Sequence, residues 1–468
     1  MNLSKIAGFA LGPIAAAALG LLTVPLMAWF FSPEVVGQIA MLNTFLAGCS
    51  LVLTLGLDQA YVREYSEVDN KQSLLKSFLI TSLICTLLFC GGIVFFSDFF
   101  STVLFGEVSS AILIALLLAC AVLSTILFRF SSLVLRMQEK GIRFSLLQIS
   151  SKTIVVLGLC LLFFIQTEHS FLLAFYIVSS GLLVSVLLSL IFIKSDICSA
   201  IRAGFDYKLI VSGLKFGFPL IFAGFSFWGL TSIDRWAIRY FSGLEELGIY
   251  SIAFSFAAIM AVFQQVFSTV WAPIVYRWNK EGVKIEQFNQ VTDGVVIVLV
   301  FVFCLISLAS PIVHFFLPEN YYQVTFLLPV CMLYPLFYTL SETTVVGMNI
   351  ARKTNYSVLT TLLPCCVNFG LCTQLIPPYG TGGAGVSVAL SFFCYLVLRT
   401  EVSKRVWQPF PTIKLYFFSL LILLCASWTA LFKQALPWYC TSAVIVLLLM
   451  LYSSRIYQAK SFIKNYRN

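Results

Sequence analysis

The sequence predicts an all-α polytopic membrane protein of about 14 spans, on three observations. Apolar stretches of spanning length fill almost the whole chain, and the short gaps between them alternate strictly in positive charge. Hydrophobic residues make up 60 % of the 468, charged residues only 10 %, and mean hydropathy is +0.97. A soluble protein of this composition would have far too little polar surface.

A hydrocarbon core of roughly 30 Å takes about 20 apolar residues per spanning helix. On that measure helices are expected at 8–31, 37–57, 74–97, 110–134, 142–165, 171–193, 213–234, 248–273, 291–316, 323–347, 356–377, 382–399, 413–433 and 436–452. Ala15–Ala18 has the small residues of a signal cleavage site, but the first segment is too long and too closely followed by the second to be a cleaved signal. Taking the N-terminus as cytoplasmic, the inner segments carry in turn Lys5; Arg63, Lys71 and Lys76; Arg136, Lys140 and Arg143; Lys194, Arg202, Lys208 and Lys215; Arg277, Lys280 and Lys284; Arg352 and Lys353; Arg399, Lys404, Arg405 and Lys414; and Arg455, Lys460, Lys464 and Arg467. These are 24 of the 29 Lys and Arg, against only Arg235, Arg239 and Lys433 outside. The positive-inside rule then places both termini in the cytoplasm. The net charge of +9 is this topogenic bias and implies no nucleic-acid partner.

No gap exceeds about twenty residues, so the chain has no room for a soluble catalytic domain, and an enzyme is not expected. The fourteen cysteines are scattered, with Cys365–Cys366 the only neighbours; there is no CxxC and no Cys/His cluster of metal-ligand spacing. His169 and His314, the only histidines, fall at outer helix ends.

The chain repeats itself. Phe31-Ser32 before a short acidic turn leads to Gly37, and Phe241-Ser242 before another leads to Gly248, at offsets of 210 and 211. Met137 to Ser145 before helix 5 and Met348 to Ser357 before helix 11 repeat at 211 and 212. One offset shared by two loops indicates a duplication of six helices. An even number returns the chain to its starting side, so the halves form two parallel six-helix bundles, the plan of alternating-access transporters. The expected divisions are 1–211, 212–408 and an added helix pair with a basic tail, 409–468, with Pro409 and Pro411 at the join. Lys194–Lys215 joins the halves and can form a short amphipathic helix on the inner surface.

Ionisable side chains inside spans mark candidate sites. Lys152 lies about ten residues, roughly 15 Å, into helix 5, on one face with Ser145 and Gln148. A lysine can snorkel along lipid, but from mid-depth its stem is short, which favours a water-filled cavity. Arg129 shares a face with Thr125, Ser132 and Arg136 near the inner surface, where snorkelling and function are equal readings. Trp228, Thr231, Arg235 and Arg239 form an i, i+3, i+7, i+11 stripe suited either to sugar stacking and phosphate pairing or to interface anchoring. Asp58, Tyr61 and Tyr65 share one helical face; Asp58 and Arg63 sit about 140° apart and would not pair on an ideal helix. Glu342 is the other buried acid, and Gln264, Gln265 and Asn368 add uncharged polarity suited to hydrogen bonding between helices. With Arg63, Arg235 and Lys215 at the mouths, the path leans cationic and favours an anionic solute. A lipid diphosphate fits, since its head group cannot cross hydrocarbon bare.

Three strings resemble the Wzx-type O-antigen flippases, the polysaccharide-transport branch of the MOP superfamily: Gly56-Leu-Asp58-Gln-Ala-Tyr-Val-Arg63-Glu-Tyr65, Asp234-Arg235 before Gly248-Ile-Tyr-Ser251, and Pro377-Pro-Tyr379-Gly380-Thr-Gly-Gly383-Ala-Gly385. The resemblance spans residues 1 to about 408 and carries over Asp58, Arg63, Asp234 and Arg235. It implies a MATE/MOP-like, V-shaped pair of bundles in the bacterial cytoplasmic (inner) membrane. The pair would flip an undecaprenyl-diphosphate-linked oligosaccharide from inner to outer leaflet for lipopolysaccharide O-antigen synthesis. Joined to the buried charges read above, these give a candidate set of Lys152, Arg129, Arg63, Arg235, Arg239, Trp228 and Lys215 for substrate, and Asp58, Asp234 and Glu342 for coupling or gating. No cofactor is implied beyond an H+ or Na+ gradient; the partners are the lipid-linked oligosaccharide, membrane lipids and polysaccharide polymerase or chain-length proteins.

The rival transport readings are a lipid II flippase and a cation-coupled multidrug exporter. Helix 1 has no arginine, whereas basic residues there are prominent in the lipid II group, and helices 1 and 7 carry no acid except Asp234 at a helix end. A major-facilitator transporter would show a glycine-flanked basic motif in Glu64–Gln72, which has none. An O-antigen polymerase or ligase would carry a large arginine-bearing outer loop, absent here.

Overall fold

The computed structural model describes residues 3–106, 110–164, 170–282, 285–351, 353, 355–437 and 439–452. His169, Lys284, Arg352 and the tail cations Arg455, Lys460, Lys464 and Arg467 lie outside the described residues. The described chain is helical, without a strand: α1 (Leu3–Phe30), α2 (Pro33–Leu53), α3 (Leu57–Glu64), α4 (Lys71–Phe95), α5 (Ser97–Phe105), α6 (Ala111–Met137), α7 (Gly141–Leu161), α8 (Phe171–Phe192), α9 (Lys194–Arg202), α10 (Tyr207–Phe241), α11 (Gly243–Lys280), α12 (Ile285–Ala309), α13 (Val324–Cys331), α14 (Leu333–Thr344), α15 (Val346–Ile350), α16 (Asn355–Val406) and α17 (Ile413–Phe432).

Local sequence sets several starts. The Ser32 hydroxyl accepts from the Val35 N–H, with Pro33 in the first turn of α2, where a missing N–H costs nothing. Asn70 caps α4 by accepting from Ser73 N–H at 2.9 Å. Many large apolar side chains point outward, among them Leu88 at 74 % and Phe164 at 85 % exposure. In water such a surface would aggregate; against acyl chains it is the favourable solvent contact. This is a multi-pass membrane protein.

Eleven described helices are long and apolar enough to span, or twelve with the bent pair inside α11. The expected fourteen is not reached on this measure, for two reasons. Segments 356–377 and 382–399 run as one element, α16, whose only break from helical backbone is Gly380 at φ 54°, ψ −132°. The chain folds back there: a Cβ on Gly383 would strike the carbonyl of Leu375, eight residues earlier, which a straight helix would hold about 12 Å away. The last stretch, Tyr439–Tyr452, is a helix shorter than a span. The expected helix 10 is also interrupted, ending α13 at Cys331 and restarting at Leu333.

The chain divides into two compact units: Met1–Arg235 with Leu244–Ser251, and Trp236–Gly243 with Ile252–Asn468. The division falls later than the expected 211, because most of α10 packs with the preceding helices, and the described part of 409–468 groups with the second unit.

In the first unit α1 lies along α7, α7 along α8, and α4 along α6. Small residues permit these approaches. A Cβ at Gly12 would meet Ser145, whose hydroxyl accepts the Gly12 N–H at 2.9 Å, and Ser150 bonds Ser185 at 3.0 Å. The two hairpin glycines of the repeat meet each other: a Cβ on Gly37 would strike the Leu244 carbonyl, and one on Gly248 the Pro33 carbonyl. The stretch after α9 is stitched to α4, where the Lys76 ammonium donates to the carbonyls of Ile201 (2.9 Å) and Ala203 (2.7 Å) and Ser73 to that of Gly204 (2.7 Å).

In the second unit α17 packs on α12, α13 and α16. The Tyr416 hydroxyl donates to Glu401 at 2.7 Å, tying α17 to the end of α16. Trp271, Val275, Phe288 and Val346 form an apolar cluster extended by Trp278 and Trp407.

Candidate functional site

The site begins where α2 breaks. Leu55 (φ 53°) and Gly56 (φ 71°) take left-handed backbone, ending α2 and restarting the chain as α3 at Leu57. The break needs glycine on both sides: a Cβ at Gly56 would run into the backbone of Gly217 on α10, and one at Gly217 into Gly56. Above this crossing Gly224 sits on Leu51, and Gly48 lies under the Trp228 ring. The break places Asp58 in the first turn of α3, where a negative charge suits the helix dipole.

Asp58 is buried, and its carboxylate is fully used. Oδ1 accepts from the Thr54 hydroxyl (3.2 Å); Oδ2 accepts from Gln59 Nε2 (3.1 Å) and from Arg129 Nε (3.1 Å) and Nη2 (2.7 Å). Arg129 reaches across from α6 with its side chain 42 % exposed. Only two of its five N–H groups are spent on Asp58. The pair stands in the wall of a cavity of about 540 Å³. Ser50, Gln59 and Thr231 supply the remaining polar lining; Leu51, Leu220, Ile221, Phe227 and Trp228 supply the apolar part. The Trp228 indole N–H is buried with no hydrogen-bond partner among the described residues. Such a chamber offers guanidinium N–H groups to phosphate oxygens and aromatic faces to a sugar or a chain.

Residues 3–278 match the family described as "Polysaccharide biosynthesis protein". The chain belongs to that family. The matched stretch contains every residue lining the cavity. No curated protein matches the sequence. Among solved structures, "Lipid II flippase MurJ, inward closed conformation" is similar at TM-score 0.71 and 17 % identity, over 96 % of this chain and 99 % of that one. An inward-facing multidrug resistance MATE family transporter of the MOP superfamily is similar at 0.64 and 13 %, over 83 % and 94 %, and an outward-facing transporter of the same description at 0.59 and 13 %, over 86 % and 95 %. The fold of this family member is therefore the one these structures share.

Of the site residues expected from sequence, the structure gathers Asp58, Arg129 and Trp228 at this cavity, with Thr231 beside them. Arg63 is on α3 with its guanidinium 4.5 Å from the centre of the Phe216 ring, and Lys215, on α10, is exposed. Lys152 is exposed on α7 and is not among the lining residues. The Ser145 end of its stripe is buried against α1, so the expected polar face is partly a helix contact. Arg235 donates to the Thr231 carbonyl at 2.8 Å. Asp234 is buried and accepts from the Tyr250 hydroxyl at 2.7 Å. Arg239 belongs to the second unit, so the expected four-residue stripe is divided.

Glu342 is also in the second unit, on α14, 2.7 Å from Arg399. Arg399 was counted above with the inner-loop cations; it is instead buried within α16, bonded to Ser341 Oγ (2.7 Å) with the Tyr395 and Tyr338 rings 4.8 and 5.7 Å away. A signal existed in the sequence: Tyr338–Glu342 and Tyr395–Arg399 are both i, i+4 pairs of a ring with a charge.

Proposed function

We propose that the protein is a flippase. It carries an undecaprenyl-diphosphate-linked oligosaccharide, an O-antigen or similar repeat unit, from the inner to the outer leaflet of the bacterial cytoplasmic membrane by alternating access. The observation that carries this reading is the chamber in the first unit, where Arg129 presents unspent N–H groups beside the faces of Trp228 and Phe227. A lipid diphosphate has an anion that must be shielded from hydrocarbon, while its tail needs no such shielding. Membership of a polysaccharide biosynthesis family supports the sugar-bearing cargo, and similarity to a lipid II flippase supports a lipid carrier. In this reading Arg129 takes the diphosphate and Trp228 the first sugar. Arg63, Lys215, Lys152, Arg235 and Arg239 draw the anion along the path. Asp58, Asp234 and Glu342 are the acids available for coupling to an H+ or Na+ gradient. The product is handed to polymerase and chain-length proteins outside, and both termini face the cytoplasm.

The test is complementation of a deletion strain, reading surface polysaccharide and lipid-linked repeat units held in the inner leaflet. Arg129→Ala and Trp228→Ala are expected to leave the repeat units inside. Full surface display from both variants would remove the chamber from the route. Lipid II is a second cargo, favoured by the 96 % and 99 % coverage against a lipid II flippase. Rescue of a strain depleted of its own lipid II flippase would establish that cargo instead.

A further inference from the structure

We propose that Asp58 is a built-in counter-anion that competes with the cargo's diphosphate for Arg129 and so sets how readily the cargo is released. The inference rests on the cargo class above and deepens it.

Arg129 meets one carboxylate oxygen through two N–H groups, Nε at 3.1 Å and Nη2 at 2.7 Å, while a large part of its side chain remains open to the cavity. An arginine serving only to tie α3 to α6 would be buried along with its partner. Here the acid is buried and the base is presented. A transporter also needs this arrangement. A lone guanidinium in a chamber of low polarity would hold a doubly charged diphosphate too tightly to let it go, and would be filled by ordinary anionic phospholipid. A carboxylate within hydrogen-bond distance cancels much of that attraction at every point the anion occupies.

The surroundings of Asp58 fit exchange rather than a permanent bond. When a diphosphate draws the guanidinium away, the carboxylate keeps two donors: the Thr54 hydroxyl on Oδ1 at 3.2 Å and the Gln59 amide on Oδ2 at 3.1 Å. A buried charge left with no donor would make that exchange prohibitive. Loading passes Arg129 from Asp58 to the diphosphate; release passes it back. No bond is made or broken.

This predicts opposite signs for two conservative changes. Asp58→Asn removes the competitor, so farnesyl diphosphate should bind the purified full-length protein about tenfold tighter, and short-chain phosphatidylglycerol should tighten in the same direction. Flipping by the same variant in vesicles should slow, because release is the step that suffers. Thr54→Val removes a donor from the displaced carboxylate and should weaken farnesyl diphosphate several-fold while leaving the Asp58 charge in place. A carboxylate that merely positions Arg129 predicts weaker binding in Asp58→Asn and no change in Thr54→Val; either result would overturn the proposal. Thr54→Val alone decides the sign if Asp58→Asn does not fold. Arg129→Gln separates the two levels: binding equal to wild type would refute the chamber as the diphosphate site, and the counter-anion with it. Lost binding in Arg129→Gln with no gain in Asp58→Asn would refute only the counter-anion.

Discussion

Arg399→Met should be among the most damaging single substitutions in the second unit, and Glu342→Gln should rescue part of the loss. The two charges are 2.7 Å apart at 10 % and 17 % side-chain exposure. Their centres, about 4 Å apart, attract by about 4 kcal/mol at an effective dielectric constant of 20, in line with the 3–5 kcal/mol typical for orphaning one partner of a buried pair. Arg399→Met leaves the Glu342 carboxylate without its cation and should cost about 3–5 kcal/mol. Glu342→Gln leaves a guanidinium that still has Ser341 Oγ and the Tyr395 and Tyr338 rings. Those contacts hold back about half of the loss, so about 2–3 kcal/mol is expected. The double variant leaves no stranded charge and should cost about 2–3 kcal/mol rather than the sum, a coupling of roughly 4 kcal/mol. Unfolding of purified protein in mixed micelles by a denaturing detergent measures all four corners of the cycle. Additive losses would refute the reasoning, since they would mean the pair is a geometric coincidence without mutual stabilisation.

Three further outcomes are expected. Gly37→Ala and Gly248→Ala each push a methyl into a facing carbonyl and should lower thermal stability by about 1–3 kcal/mol; unchanged melting in both would refute the close crossing. Lys76→Met removes two charge-assisted hydrogen bonds to the stretch after α9 and should raise tryptic cleavage at Arg202, so an unchanged cleavage rate would show the stretch is held by other contacts. Tyr416→Phe deletes the bond to Glu401 at the base of α17 and should cost about 1 kcal/mol, read as a lower melting temperature with transport retained.

Asp58 illustrates how far the sequence reaches. Its depth at the end of an apolar stretch marked it as a site, and helical spacing correctly kept it from Arg63. Nothing local connects it to Arg129, 71 residues away on another helix. Arg399 fails in the opposite direction. A cation just past an apolar run reads as topogenic, but the helix continues to Val406 and carries it inward to Glu342. Lys152 and Ser145 share a face of α7 by spacing, but whether that face meets lipid, a neighbouring helix or a cavity depends on α1, which packs on Ser145.

Reading along the chain alone is enough to show a helical membrane protein and roughly where its spans run. Those properties follow from hydropathy and 3.6-residue periodicity, which are summed along neighbours in the chain. Tertiary structure alone decided that Arg129 serves Asp58, that Arg399 serves Glu342, and that Gly56 and Gly217 let α3 and α10 touch beneath a chamber. Each depends on the rotation and crossing of helices far apart in sequence, set by backbone approach and hydrogen bonding between them.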